Sequence, residues 1–142
     1  MRKVSEIMTT NVVTVTPRDN VYEVAVKMKE HDTGFIPVVE VDGDRLLGVI
    51  TDRDLVVRGI AEKHPGSTAV EVVMTKGIKT ASRDTSVEEA AELMAEQQIR
   101  RLPVTEGDRL VGIVSIGDLA IRTIFADEAG EALTQISTEQ IH

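Results

Sequence analysis

Gly48-Val49-Ile50-Thr51-Asp52-Arg53-Asp54-Leu55 and Gly112-Ile113-Val114-Ser115-Ile116-Gly117-Asp118-Leu119 are one pattern written twice in a chain of 142 residues. Each copy opens on Gly, runs through apolar residues to a hydroxyl, and places an Asp three positions later. An apolar, β-branched run that ends in Ser or Thr with an acidic residue in the following turn is a strand giving way to a helix. The hydroxyl then stands beside backbone N–H groups that lack helical partners, and the carboxylate lies in the first turn on the same side.

The duplication extends outward in both directions. Upstream, Ile36-Pro37-Val38-Val39 is echoed by Leu102-Pro103-Val104-Thr105, and Val21-Tyr22-Glu23-Val24-Ala25-Val26-Lys27-Met28 by Val87-Glu88-Glu89-Ala90-Ala91-Glu92-Leu93-Met94. Further back, Val4 to Thr9 answers to Val70 to Thr75, and Val12 to Thr16 to Ile78 to Ser82. A two-residue difference in the hairpin changes the offset before Asp44 and Asp108 realign the copies. Self-similarity on this scale makes the repeat the unit of the fold.

Each repeat reads as strand, helix, strand, strand, helix. Val12 to Thr16 is short and β-branched, Pro17 to Asn20 is a turn, and Asn20 is placed to cap a helix running to about His31. Val21, Val24, Ala25 and Met28 recur at helical spacing and predict one buried stripe. Phe35 to Val41 and Arg45 to Ile50 flank Asp42-Gly43, a hairpin signal, and are expected to pair antiparallel. Leu55, Val56, Gly59 and Ile60 predict a second helix that fades into the polar stretch Glu62 to Ser67. The expected fold class is α+β: two β-α-β-β-α repeats, at 1–64 and 65–126, packed sheet to sheet about a pseudo-twofold axis with clefts between them. Residues 127–142 form a tail expected to be a short helix or a frayed end.

Composition narrows the function. An apolar content of 42% with 28% charged residues is a normal globular balance, and no apolar run approaches bilayer length. The start, Met1 to Glu6, lacks the charged-then-apolar order of a secretory signal, so a cytoplasmic, non-membrane protein is expected. A net charge of −8 argues against sequence-independent nucleic-acid binding. With no cysteine and with His31, His64 and His142 far apart, thiolate, disulfide and zinc chemistry have no residues to start from. No nucleophile with a paired base and no Walker-type Gly-Lys-[Ser/Thr] stretch stands in the chain, so it is not expected to be an enzyme.

The Gly-apolar-apolar-[Ser/Thr]-x-x-Asp-Leu stretches, each preceded by apolar-Pro-Val, resemble tandem CBS domains, the repeats named after cystathionine beta-synthase. The resemblance covers about residues 4 to 125. It implies a Bateman module: a non-catalytic regulatory pair that binds an adenosine-containing ligand (AMP, ADP, ATP or S-adenosylmethionine), forms a homodimer and acts on a partner protein. No catalytic cofactor is implied.

Within that frame the Thr51 and Ser115 hydroxyls are candidate phosphate contacts, and Asp54 and Asp118 are candidate ribose clamps, since one carboxylate can accept from both ribose hydroxyls. Thr14, Val15 and Thr16, with Thr80, Ala81 and Ser82, would offer backbone groups to an adenine edge. Val15, Ile36, Ala81 and Leu102 would wall the ring, and Pro37 and Pro103 would shape the strand beside it. Arg53, Arg100 and Arg101 are candidate phosphate cations and differ between copies, so the two sites are not expected to bind alike.

A purely structural reading competes for each of these. [Ser/Thr]-x-x-[Asp/Glu] is also a helix capping box, as Ser86-Val87-Glu88-Glu89 is expected to be, and the apolar residues are also core residues. The alternative function is therefore a ligand-free interaction module that modulates a partner through dimer packing.

Overall fold

The fold is known from a computed structural model that describes residues 2–121. It is α+β, with two small sheets. The predicted tail at 127–142 and the end of the second repeat lie outside the described residues.

One compact unit spans Val13–Ile78. Its helix α1 (Val21–His31) starts where Asn20 Oδ1 accepts the Glu23 N–H at 2.9 Å and ends at Asp32 in a left-handed conformation. It buries Val21, Val24 and Met28, the stripe read from the spacing. Strands β1 (Phe35–Val39) and β2 (Leu46–Thr51) pair antiparallel from Phe35 opposite Thr51, with a bulge between Val38 and Val39. The loop closes through the Glu40 N–H on the Arg45 carbonyl at 3.0 Å, so the turn is wider than the Asp42-Gly43 pair alone.

The expected strand Val12 to Thr16 is reduced to one parallel bridge, Val15 with Val38. Val15 donates to the Pro37 carbonyl at 3.1 Å and accepts from the Val39 N–H at 2.9 Å. Pro37 has no N–H to offer on that same edge, so the ladder cannot extend backward.

After β2 comes one short helical turn, α2 (Asp52–Asp54), which widens into a π-turn at Leu55–Gly59 and tightens to 3-10 geometry at Ile60–Glu62. The predicted second helix is therefore irregular, with the Ile60 N–H shared between the Leu55 and Val56 carbonyls. Helix α3 (Val70–Val73) completes this unit, adding Val70, Val73 and Met74 to a core that holds Val15, Val21, Val24, Met28, Ile36, Val38 and Ile50.

The other unit combines the segment up to Val12 with the chain from Lys79 onward. Strand β3 (Ala81–Ser82) runs parallel to β4 (Arg101–Glu106), which pairs antiparallel with β5 (Arg109–Ser115). Helix α4 (Val87–Gln97) is capped by Ser86, whose Oγ accepts the Glu89 N–H at 3.1 Å. Helix α5 (Ile116–Ile121) follows β5. The core here includes Val4 and Ile7 with Val87, Met94, Leu102, Val104, Val114 and Leu119.

The packing units thus cut across the sequence halves 1–64 and 65–126. Val70 to Thr75, which opens the second repeat, packs on the hairpin of the first. The Val70 N–H donates to Asp19 at 2.8 Å, and the Val49 and Thr75 backbones bond reciprocally at 2.9 and 2.8 Å. Val4 to Thr9 does the same in the other unit, with the Val4 N–H on Thr85 at 2.9 Å and Thr9 bonded reciprocally to Ile113 at 2.8 and 2.9 Å. The repeated Gly makes room for this. A Cβ on Gly48 would stand 2.3 Å from the Thr75 carbonyl oxygen, and one on Gly112 would stand 2.9 Å from that of Thr9.

Candidate functional site

The hydroxyl–carboxylate pairs form reciprocal hydrogen bonds in both copies. Thr51 N–H donates to Asp54 Oδ2 at 3.0 Å while Asp54 N–H donates to Thr51 Oγ1 at 3.1 Å. Ser115 N–H donates to Asp118 Oδ2, and Asp118 N–H to Ser115 Oγ, both at 3.0 Å. This is capping-box geometry with Asp in the place of Glu. Each hydroxyl accepts one bond and keeps its own proton, which is what a phosphate oxygen would need.

Asp54 is buried and carries more than the cap. Its Oδ1 accepts from Arg58 Nη2, and the Thr75 hydroxyl lies 3.0 and 3.1 Å from its two oxygens. Arg58 also donates through Nε to the Val73 carbonyl at 3.0 Å and through Nη2 to Thr75 Oγ1 at 2.6 Å. A carboxylate has about four lone-pair positions, and the Thr51 N–H, the Arg58 guanidinium and the Thr75 hydroxyl occupy three of them. A ribose diol needs two, so Asp54 holds one only by releasing Arg58 or Thr75. Asp118 is half-buried.

Neither Arg58 nor Thr75 belongs to the duplicated motif itself. Arg58 had a readable signal, a cation four residues after an acid on a helical stretch. Thr75 had only its place in the Met-Thr echo of Met8-Thr9. In the second copy Thr9 and Arg122 stand at the matching sequence positions, Arg122 outside the described residues.

The backbone groups expected to face an adenine edge are largely engaged. Both backbone groups of Val15 bond to β1, Thr14 O accepts from Lys27 Nζ at 3.0 Å, and Thr16 N–H donates to Asp19 Oδ2 at 2.8 Å. In the other copy Ser82 N–H donates to Thr85 Oγ1 at 2.9 Å, and Thr80 Oγ1 lies 3.3 Å from Thr105 Oγ1. Val15, Ile36, Ala81 and Leu102 are no more than 2% exposed and belong to the two cores, the structural side of their double reading. Pro37 and Pro103 sit opposite Val49 and Ile113, each just before a bulge.

The cations are distributed unequally. Arg53 and Arg100 are exposed and Arg101 is half-buried, lying directly across the strand pair from Ser115. Phe35 holds the equivalent place opposite Thr51. Among the described residues no three His, Cys, Asp or Glu side chains converge as a metal site, and no helix is long and apolar enough to cross a membrane.

Comparison with known proteins agrees with this duplicated architecture. The chain is 47% identical over 137 residues to the uncharacterized protein YlbB of Bacillus subtilis, covering 96% of this chain and 93% of that one. It is 44% identical over 142 residues to the CBS domain-containing protein YhcV of the same organism, covering 100% of both. The crystal structure of CBSX2 in complex with AMP superposes with a TM-score of 0.78 at 25% identity, covering 89% of this chain and 99% of that one. The CBS domain pattern itself matches at residues 4–59 and 69–122. Two copies of the motif, each with its hydroxyl–carboxylate pair closed the same way and each inside a match to the family, place this chain in the CBS domain family as a tandem pair.

Proposed function

We propose that the chain is a non-catalytic regulatory module of the cytoplasm that binds an adenosine-containing ligand, with AMP, ADP, ATP and S-adenosylmethionine as the candidates. The supporting observation is the hydroxyl–carboxylate pair built twice with the same reciprocal bonds, joined to the likeness to a CBS pair that holds AMP. The Thr51 or Ser115 hydroxyl donates to a phosphate, and the Asp54 or Asp118 carboxylate accepts from the ribose. A ligand that binds one conformation better than another shifts the population toward it, and a homodimer presents that shift to a regulated protein.

A second reading has its own observation. The Asp54 carboxylate already serves Thr51, Arg58 and Thr75, as it would in an interaction module that binds no nucleotide.

Thermal unfolding at fixed protein and salt concentration, followed by far-UV circular dichroism, separates the two. Ligand at one hundred times its dissociation constant adds about 2.7 kcal/mol per site, a rise of several degrees. We expect that rise with adenosine ligands, absent with GTP and abolished by Asp118→Ala. No rise with any adenosine ligand would leave the interaction module standing.

A further inference from the structure

We propose that the segment Arg2–Thr9 swaps between copies of this chain: in a dimer, the strap of each chain fills the groove of the other. Nothing in this depends on nucleotide binding.

Strap and groove form a recognition pair that the molecule builds twice. The Val4 N–H donates to the Thr85 carbonyl at 2.9 Å as that of Val70 donates to Asp19 at 2.8 Å, and the Ser5 N–H to Arg83 at 3.4 Å as that of Glu71 to Pro17 at 3.2 Å. In the other direction, the Val87 N–H reaches the Arg2 carbonyl at 3.1 Å and the Val21 N–H that of Thr68 at 2.9 Å. The reciprocal Thr9–Ile113 and Thr75–Val49 bonds complete the two sets. The side chains match too. Val4 and Val70 are both fully buried, and a Cβ on Gly112 would be 2.7 Å from Met8 Sδ where one on Gly48 would be 2.6 Å from Met74 Cε. Each groove therefore reads a pattern, apolar-x-x-apolar-Met-Thr, through backbone bonds that any chain carrying it supplies.

The two segments differ in how the chain ties them to their grooves. Val70–Thr75 lies within the continuous unit Val13–Ile78, whereas the chain leaves the strap's unit at Val12, builds all of the other unit, and returns at Lys79. Thr10 and Asn11 are exposed, and among the described residues none pairs its backbone with Thr10, Asn11 or Val12, so redirecting this hinge breaks no backbone bond. Charge supplies the address. Lys3 Nζ lies 3.2 Å from Asp84 Oδ1, whereas Ala69 and Arg18 hold the matching places in the other unit, where a Lys would meet a like charge. An exposed pair adds little affinity but selects which groove a strap enters. A swap between copies keeps every one of these bonds, so chain concentration sets the balance between the two arrangements.

Unlabelled and heavy-isotope parent chains, unfolded in urea and refolded together in equal amounts, test this with a carbodiimide that joins the Lys3 amine to the Asp84 carboxylate. We expect the share of that cross-link joining a light to a heavy peptide to rise with refolding concentration toward about half, and to be at least about tenfold lower when the chains are refolded apart and then mixed. A cross-link confined to like-labelled peptides at every concentration would overturn the swap, and no cross-link at all would remove the docking it needs. A second reading uses the absence of cysteine from the chain. Lys3 and Ser86 are opposed in an antiparallel bridge without bonding each other's backbones, a pair whose spacing suits a disulfide. Lys3→Cys and Ser86→Cys chains of different size, each shown to be folded by circular dichroism and refolded together, should form the mixed disulfide dimer in excess of either like dimer. No excess would overturn the swap, and a dimer held by any other surface gives neither signal.

Discussion

A fragment ending at residue 64 should be unfolded, whereas a fragment of nearly the same length spanning 13–78 should fold. The first contains the whole hairpin-and-helix half of the first repeat but lacks Val70, Val73 and Met74, which are 0%, 0% and 8% exposed in that unit's core. Removing three such side chains forfeits about 5–9 kcal/mol of burial, an upper figure because unfolded chains are already partly compact. The backbone bonds of Val70 to Asp19, Val21 to Thr68 and both Val49–Thr75 bonds go with them, at about 1 kcal/mol each. That total rivals the whole stability of a small domain, about 5–15 kcal/mol. The chain has no Trp and one Tyr, so far-UV circular dichroism under a urea gradient is the assay. We expect a cooperative transition for 13–78 and none for 1–64. A transition of 1–64 with a midpoint at or above that of 13–78 would refute the exchange of opening segments.

Two further outcomes follow from the contacts within the units. Asp54→Ala should cost about 2–4 kcal/mol through the lost cap and the charged bonds to Arg58 and Thr75, and Thr75→Val about 1–2 kcal/mol. A urea double-mutant cycle should show coupling above about 1 kcal/mol, and additivity within about 0.5 kcal/mol would mean that Asp54 and Thr75 do not act together. Gly48→Ala and Gly112→Ala should each lower the unfolding midpoint by about 1–3 kcal/mol equivalent, because the new methyl meets the Thr75 or Thr9 carbonyl. Melting curves unchanged from the parent would show that the opening segments lie farther off.

Helices α1 and α4 were legible because a repeating apolar stripe and a capping residue are both local signals, as Asn20 and Ser86 show. The hairpin was legible from its turn, though β1 stops at Val39 instead of Val41 and β2 runs from Leu46 to Thr51 instead of Arg45 to Ile50. The β-branched residues of Val12 to Thr16 spell a strand, but the residue that limits its pairing, Pro37, lies some twenty positions away, so no local window contains the reason. The exchange of opening segments was invisible for a different cause. Val4, Ile7 and Met8 match Val70, Val73 and Met74 in kind, so either segment satisfies either hairpin as far as composition goes, and only the packing chooses. At the motifs the spacing located the hydroxyl–carboxylate pairs correctly but not the third and fourth partners of Asp54, since Thr75 reaches it across twenty-one residues.

The exchange also fixes an order of events on the ribosome. Synthesis runs from the N-terminal side, yet among the described residues Val4 and Ile7 share a core with residues between 81 and 119, including Val87, Leu102 and Leu119. The unit spanning Val13–Ile78 has all its residues as soon as its last one emerges, and can fold at that point. The segment before Val13 must wait until the remainder of the second repeat arrives, so residues made ahead of that unit find their place after it.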